Sequence, residues 1–309
     1  VDVWDRKPFG LFAIYWLIAT VSAAPIAYQL AATLAAAGTA WAIAALAKAG
    51  TNAQGGLLAG VAYLLALDPL QCFGGQSPVF YNLFIAVAAL LTFRALPALK
   101  QGHAPRTLPL AMLIAGLGVT IKTTALFEAA FLGLYASAAL WRSPAGMRGA
   151  LRNAMAWALI GAMPSLLIAA TYGAIGHWSE FWHAMVTSNL AKPPDWPTSW
   201  ARLKIMALVL SPLIALALAG LARREPASRR FVLCWIGAAL AGLFAYPNFY
   251  LHYGAPLAVP LCVAAGGFLA RGAVGIAATA ALAALSLIAA PLQFGHAARS
   301  RAAIETLKA

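Results

Sequence analysis

Residues 252–291 read HYGAPLAVPLCVAAGGFLA, then Arg271 and Gly272, then AVGIAATAALAALSLIAAP. Each apolar run is 19 residues long and holds no Asp, Glu, Lys or Arg. A helix of about 20 apolar residues spans the hydrocarbon core of a bilayer. The stretch is therefore a membrane-crossing helical hairpin that turns at a single cation.

The same pattern continues outward along the chain. Apolar runs bounded by Gly, Pro or charge lie at 25–47, 53–68, 77–93, 107–120, 123–141, 154–173, 203–221, 231–246, 252–270 and 273–291. They predict an all-α, polytopic integral membrane protein with about ten transmembrane helices plus interfacial helices. Composition agrees: the 309 residues are 63% hydrophobic and 9% charged, with mean hydropathy +0.81. A soluble domain carries about 25% charged residues, so a water-soluble fold is excluded, as is a lone anchor with a soluble head.

The net charge of +13 comes from 21 Lys+Arg against 8 Asp+Glu. Nucleic-acid binders concentrate such charge on one face, whereas here it falls in small groups between apolar runs, and no nucleic-acid partner is expected. If Phe9 to Val21 does not cross the membrane, alternate loops collect Lys48, Arg94, Lys100, Arg106, Arg142, Arg148, Arg152, Arg223, Arg224, Arg229, Arg230 and Arg271. The short loops of the other side are nearly free of positive charge. Basic short loops mark the cytoplasmic side, which puts 2–8, 68–78, 171–202 and 246–252 together on the opposite face.

Within 174–200, Trp178, Phe181, Trp182, Met185 and Val186 recur at helical spacing opposite Glu180, His183 and Thr187, the pattern of a helix lying in the membrane interface. Cys72, Cys234 and Cys262 have no CxxC spacing and imply neither a disulfide framework nor a metal site. His177 and His183 are not at helical ligand spacing. No cofactor is implied, and a divalent cation stays open.

The richest chemistry is at the start, Asp2-Val3-Trp4-Asp5-Arg6-Lys7-Pro8-Phe9-Gly10-Leu11-Phe12. By residue type it is either a snorkelling charged cap or a phosphate site built on Lys7 before a helix start. Lys122 and Glu128 are ionisable groups among apolar neighbours, which makes a functional role the default. Six residues of helix turn about 600°, so a continuous helix would put the two on nearly opposite sides. Glu128 favours a hydrogen-bonded structural role, and Lys122 either snorkels or meets an anion.

The opening segment resembles the Asp/Lys-Pro signature of GT-C superfamily membrane glycosyltransferases, which include aminoarabinose transferases and protein O-mannosyltransferases of the glycosyltransferase family 39 type. Four further stretches are similar to motifs of that family in the same order: Gly74 to Phe80, Gly116 to Leu126, Phe181-Trp182 with Asn189, and Tyr246 to Leu257. The resemblance implies a GT-C-like fold and transfer of a sugar, with inversion, from a polyprenyl-phosphate donor to a glycan, lipid or protein acceptor. It also implies membrane lipids as partners, a bacterial inner-membrane location and a periplasmic active face. On it, 1–309 is one transmembrane domain: 1–8 end the first periplasmic loop, 9–22 form an interfacial helix, 174–200 are a periplasmic loop with an interfacial helix, and 292–309 are a tail.

The family's main catalytic Asp and its first helix would precede Val1, leaving Asp2 and Asp5 as auxiliary carboxylates. Arg6, Lys7, Gln76, Asn82, Lys122, Tyr250 and His252 are the substrate-binding candidates. Pro78 stands where the family carries an acid. Two other readings remain: a transporter or flippase for a lipid-linked or small anionic solute, and a non-catalytic scaffold binding polyprenyl lipids.

Overall fold

The computed structural model describes residues 7–72, 75–188, 191 and 195–308, and among them every regular element is helical. In chain order these are α1 (Phe9–Val21), α2 (Pro25–Ala49), α3 (Ala53–Leu67), α4 (Ser77–Lys100), α5 (Thr107–Ile121), α6 (Ala125–Trp141) and α7 (Gly146–Ala174). Next come α8 (Trp178–Trp182) with a π turn (His183–Thr187), α9 (Trp196–Leu221) and α10 (Pro226–Ala245). A 3-10 turn (Leu251–Gly254), α11 (Ala255–Leu269) and α12 (Ala273–Lys308) complete the fold.

Nine of the ten predicted apolar runs each fall on one helix, and 252–270 falls on the 3-10 turn with α11. Seven segments are long and apolar enough to cross a membrane: α2, α4, α7, α9, α10, the 3-10 turn with α11, and Ala273–Pro291 of α12. The apolar helices α3, α5 and α6 are shorter, at 15, 15 and 17 residues.

Proline explains much of the punctuation. It occupies the first turn of α2, α4, α9, α10 and α11, where its missing N–H has no helical partner to lose and its fixed φ suits the helix. Several helices start earlier than hydropathy indicates. α7, α9 and α10 begin at Gly146, Trp196 and Pro226, because their first turns carry Arg, Trp and Ser that an apolar count leaves out.

The turns gather at two ends. At the basic end, Asn52 caps α3 by accepting from Gly55 N–H at 2.8 Å and donates to Ala270 O at 3.2 Å. There Gln54 donates to Gly272 O at 2.6 Å, and Gly102 packs beside Ala145. At the opposite end, Tyr15 Oη donates to Gly75 O at 2.5 Å, Gly10 packs against Thr120, and Arg202 Nη1 donates to Asn248 O at 3.4 Å. α1 therefore lies across that end of the bundle.

α11 is the core: every residue in it but Phe268 is buried, and it packs against α2, α3, α4, α9, α10 and α12. Small residues allow this crowding, since a side chain on Gly267 would strike Gly220 O and one on Gly220 would strike Ala264 O. Close backbone approach of this kind is the main source of helix association where lipid surrounds the protein. The buried Arg224 guanidinium adds a polar clasp, donating to Val263 O at 2.5 Å, Ser228 Oγ at 3.1 Å and Leu46 O at 3.5 Å. α7 and α12 are peripheral and turn Leu159, Leu166, Leu167, Leu287 and Ile288 outward, an apolar surface suited to lipid.

Gly220→Ala would press a methyl onto backbone that cannot rotate away, whereas a methyl at Gly237 meets nothing. Gly220→Ala is expected to cost about 1–3 kcal/mol and Gly237→Ala to leave stability unchanged or raise it, as measured by thermal unfolding in detergent.

Candidate functional site

α5 ends at Ile121, and Lys122 that caps it is extended (φ −152°, ψ 123°). Lys122 N–H still bonds Gly118 O at 3.2 Å, and Lys122 O accepts from Ala125 N–H at 3.0 Å to start α6. A sharp corner thus separates Lys122 from Glu128. The helical-wheel argument that set them on opposite sides fails, because it counted the six residues from 122 to 128 as continuous helix. Both residues line one narrow cleft with a free volume of about 20 Å³, walled also by Pro78, Tyr81, Thr124 and Tyr246 and closed by Tyr253 and Pro256.

A second stretch meets this corner through the link from α10 to α11. Asn248 N–H bonds Tyr246 O at 2.7 Å, and Phe249 adopts φ 45° while buried at 1% exposure. A bulky residue in the left-handed region persists only where its surroundings hold it. Here the hold is burial, including an edge-on contact with Phe244 at 5.3 Å. The kink presents Tyr250, His252 and Tyr253 in a strip: Tyr250 and His252 stack at 5.8 Å, and His252 meets Tyr253 edge-on at 4.8 Å.

Two cations flank the strip. Lys122 Nζ lies 5.2 Å from the Tyr253 ring centre and the Arg202 guanidinium 4.2 Å from that of Tyr250, both within cation–π range. The arrangement joins cations from two chain segments to aromatic rings from a third, beside a cleft that runs inward to a buried carboxylate. It can hold an anion at the rim and a polar group deeper in.

The structure brings Lys122, Tyr250 and His252 together at this end. Lys7 is exposed and stands three residues before Gly10, which abuts Thr120, so the close of the basic segment reaches the same corner. Asp2, Asp5 and Arg6 lie outside the described residues, as does Asn189. Gln76 caps α4 at this end, and its Oε1 is buried without a hydrogen-bond partner.

Asn82 is placed elsewhere: at 1% exposure it donates to Tyr63 Oη and Ala255 O, each at 3.1 Å, tying α3 and α11 to α4. The cleft takes Tyr81 instead, since neighbouring helical residues project about 100° apart. Glu128 Oε1 accepts from Trp235 Nε1 at 2.7 Å. Tyr81, Tyr246 and Arg202 were not among the sequence candidates. The position of Tyr81 one turn after Pro78 is the signal that could have found it, but Arg202 meets Tyr250 only through the fold.

Cys72 Sγ points to His252 O at 4.0 Å, and burial pushes its thiol up to about 12. It is a protonated packing group here, not a thiolate nucleophile. Among the described residues no group of three or more His, Cys, Asp or Glu could hold a metal ion. The interfacial candidate Trp178–Thr187 docks on the end of α7, with Phe181 stacked on Tyr172 at 5.0 Å.

No protein-family profile, curated protein or solved structure matches this chain.

Two outcomes check these placements. Asn82→Leu is expected to destabilise by about 1–3 kcal/mol, the cost of leaving buried polar partners unpaired, without changing ligand binding at Lys122. A water-soluble maleimide at pH 8 should leave Cys72 unmodified in the native protein and modify it once detergent denaturation exposes it.

Proposed function

We propose that this chain is a polytopic membrane glycosyltransferase of GT-C type, moving a sugar from a polyprenyl-phosphate donor to a lipid, glycan or protein acceptor. In this reading α3, α5 and α6 cross the membrane with the seven longer segments, and the Lys122 end faces the periplasm of a bacterial inner membrane. The observation that carries it is the convergence of Lys122, Arg202 and the Tyr250–His252–Tyr253 strip beside a cleft, at the end of the bundle poorest in loop cations. A donor whose lipid tail stays in the bilayer presents its phosphate at this level.

The chemistry follows from the charges. An acceptor hydroxyl oxygen attacks the anomeric carbon as the bond from that carbon to the phosphate oxygen breaks, which inverts the centre. The hydroxyl proton goes to a carboxylate base, the role in which Asp2 and Asp5 serve as auxiliaries. The departing polyprenyl phosphate carries the electron pair, and Lys122, Arg202 and Lys7 stabilise it.

A transporter or flippase is the second reading, favoured by Glu128, a carboxylate buried at 3% exposure along the cleft of a membrane bundle.

Proteoliposomes supplied with radiolabelled polyprenyl-phosphate sugars separate the two. Transfer to acceptor is expected, with kcat/KM lowered at least about 100-fold by Lys122→Ala, in the range seen when a transition-state charge partner is removed. Transfer unaffected by Lys122→Ala and Lys7→Ala removes the cleft from the mechanism. Movement of the lipid-linked sugar across the bilayer without transfer establishes the transporter.

A further inference from the structure

We infer that the basic end of the bundle binds an anionic phospholipid in the seam between α6 and α10, its phosphodiester held by Arg142, Arg230 and the Tyr135 hydroxyl. The inference needs only that the bundle spans a bilayer, and it stands whether the chain transfers a sugar or moves one.

Charge sets the class of occupant. Every basic-loop cation except Arg224 is exposed, and Glu225 is the only acid at that end among the described residues. A surface so unbalanced at headgroup level favours a lipid of net negative charge over a zwitterionic one.

Geometry sets the place. Arg142 caps the end of α6 two helical turns after Tyr135, and seven residues of helix return to nearly the same face. Arg230 stands in the second turn of α10, its Nε donating to Pro226 O at 3.4 Å. Both guanidiniums lie within electrostatic reach of the Tyr135 hydroxyl, as does Cys234 one turn beyond Arg230. The Tyr135 ring is held by other rings: Phe231 meets it edge-on at 5.2 Å, Phe131 lies at 5.6 Å, and Phe93 from α4 closes on Phe231 at 5.2 Å. The ring is thus fixed on an apolar floor, and among the described residues none hydrogen-bonds its hydroxyl. Guanidiniums from two helices can each fork onto phosphate oxygens, a geometry that a lysine ammonium lacks.

The surface below the arginines selects an amphiphile over a soluble anion. Cys234, Ala238 and Ala241 follow Arg230 down α10 at helical spacing, while Leu134 on α6 and Leu233 and Leu240 on α10 are exposed. An occupant therefore meets cations at one end and a shallow apolar channel along the rest, which suits an acyl chain. Such a lipid ties α6 to α10, the two helices that the Glu128–Trp235 bond joins deeper in.

Native mass spectrometry of the full chain, titrated with phosphatidylglycerol or with phosphatidylcholine of the same chains, reads both the lipids bound and the number of chains per particle. Phosphatidylglycerol is expected to bind at least about ten-fold more tightly. Arg142→Gln with Arg230→Gln should lower its affinity about 30-fold, the effect of two surface cations on an anionic headgroup. Lys48→Gln with Arg271→Gln removes the same charge at the α2–α3 and α11–α12 turns and should change it less than about three-fold, since distant exposed charges are screened. Tyr135→Phe keeps the ring packing and should lower it about ten-fold, the loss of a hydrogen bond to a charged acceptor.

Equal affinity for the two lipids overturns the site, as does a preference that survives Arg142→Gln with Arg230→Gln. Equal losses in the two double variants reduce the effect to diffuse charge and overturn it as well. Unchanged binding by Tyr135→Phe overturns the role of the hydroxyl. Glycerol phosphate that displaces the lipid at equal concentration assigns the arginines to a soluble anion, poly-glutamate bound in place of lipid assigns them to an acidic protein, and dimers lost with the two arginines assign them to a second copy. Each of these three results overturns the lipid.

Discussion

Everything at the candidate site hangs on how closely backbones can approach α11. In a lipid surrounding, apolar side chains gain little by leaving one apolar phase for another, so helix association depends on close van der Waals contact and on polar links between helices. Gly220 and Gly267 supply the first: the backbone of Ala264 and Ala265 fills the space at Gly220, and that of Gly220 fills the space at Gly267. Polar links pin α11 at its start and at its middle, with Asn82 on Ala255 O and Arg224 on Val263 O. Ala255 directly follows the 3-10 turn that carries His252 and Tyr253. Fixing the start of α11 therefore fixes one wall of the cleft, and a loss of packing far down the helix would be felt at the site.

Charge at depth is handled in two different ways. Ionisable groups in a membrane interior are costly and rare, and persist when partnered or when function needs them. Arg224 is clasped by two carbonyls and a hydroxyl near the basic end, where it joins α10 to α2 and α11. Lys122 takes a position at the opposite end, against the face of Tyr253. Glu128, at 3% exposure against 4% for Arg224, is the most buried of the three and accepts from Trp235 Nε1.

The helices were legible because membrane helices announce themselves by length and hydropathy, and because proline and arginine punctuate them. The boundaries were less so. Arg94 and Pro97 hid the last turns of α4, and Arg148 and Arg152 hid the first turns of α7, since hydropathy registers only residues suited to lipid. At the site, Lys122, Tyr250 and His252 were readable as polar groups at membrane ends. The pairing of Lys122 with Glu128 in one cleft was not, because a helical wheel cannot see a corner. Choosing Tyr81 over Asn82 required knowing which side of α4 faces α11, and that is set by contacts distant in sequence. Arg202 lies nearly fifty residues from Tyr250, and no local pattern joins them.

The lie of α1 connects these strands. Gly10 near its start touches Thr120 and Tyr15 in its middle bonds Gly75 O, and Thr120, in the last turn of α5, and Gly75, just before α4, lie at the same end of the bundle. Five residues of helix advance only about 7.5 Å, so these contacts run along the bundle's end and not down its side. Tyr15 also meets Tyr28, one turn into α2, at 5.5 Å, which folds the chain back before the first long helix descends. If the bundle spans the membrane as proposed, α1 lies at the surface, and the parity it sets is the one that places the basic loops together on the other side. The same parity leaves Lys7 and whatever adjoins it on the side where the Lys122 cleft opens. A crossing at α1 would separate them by the full thickness of the bilayer.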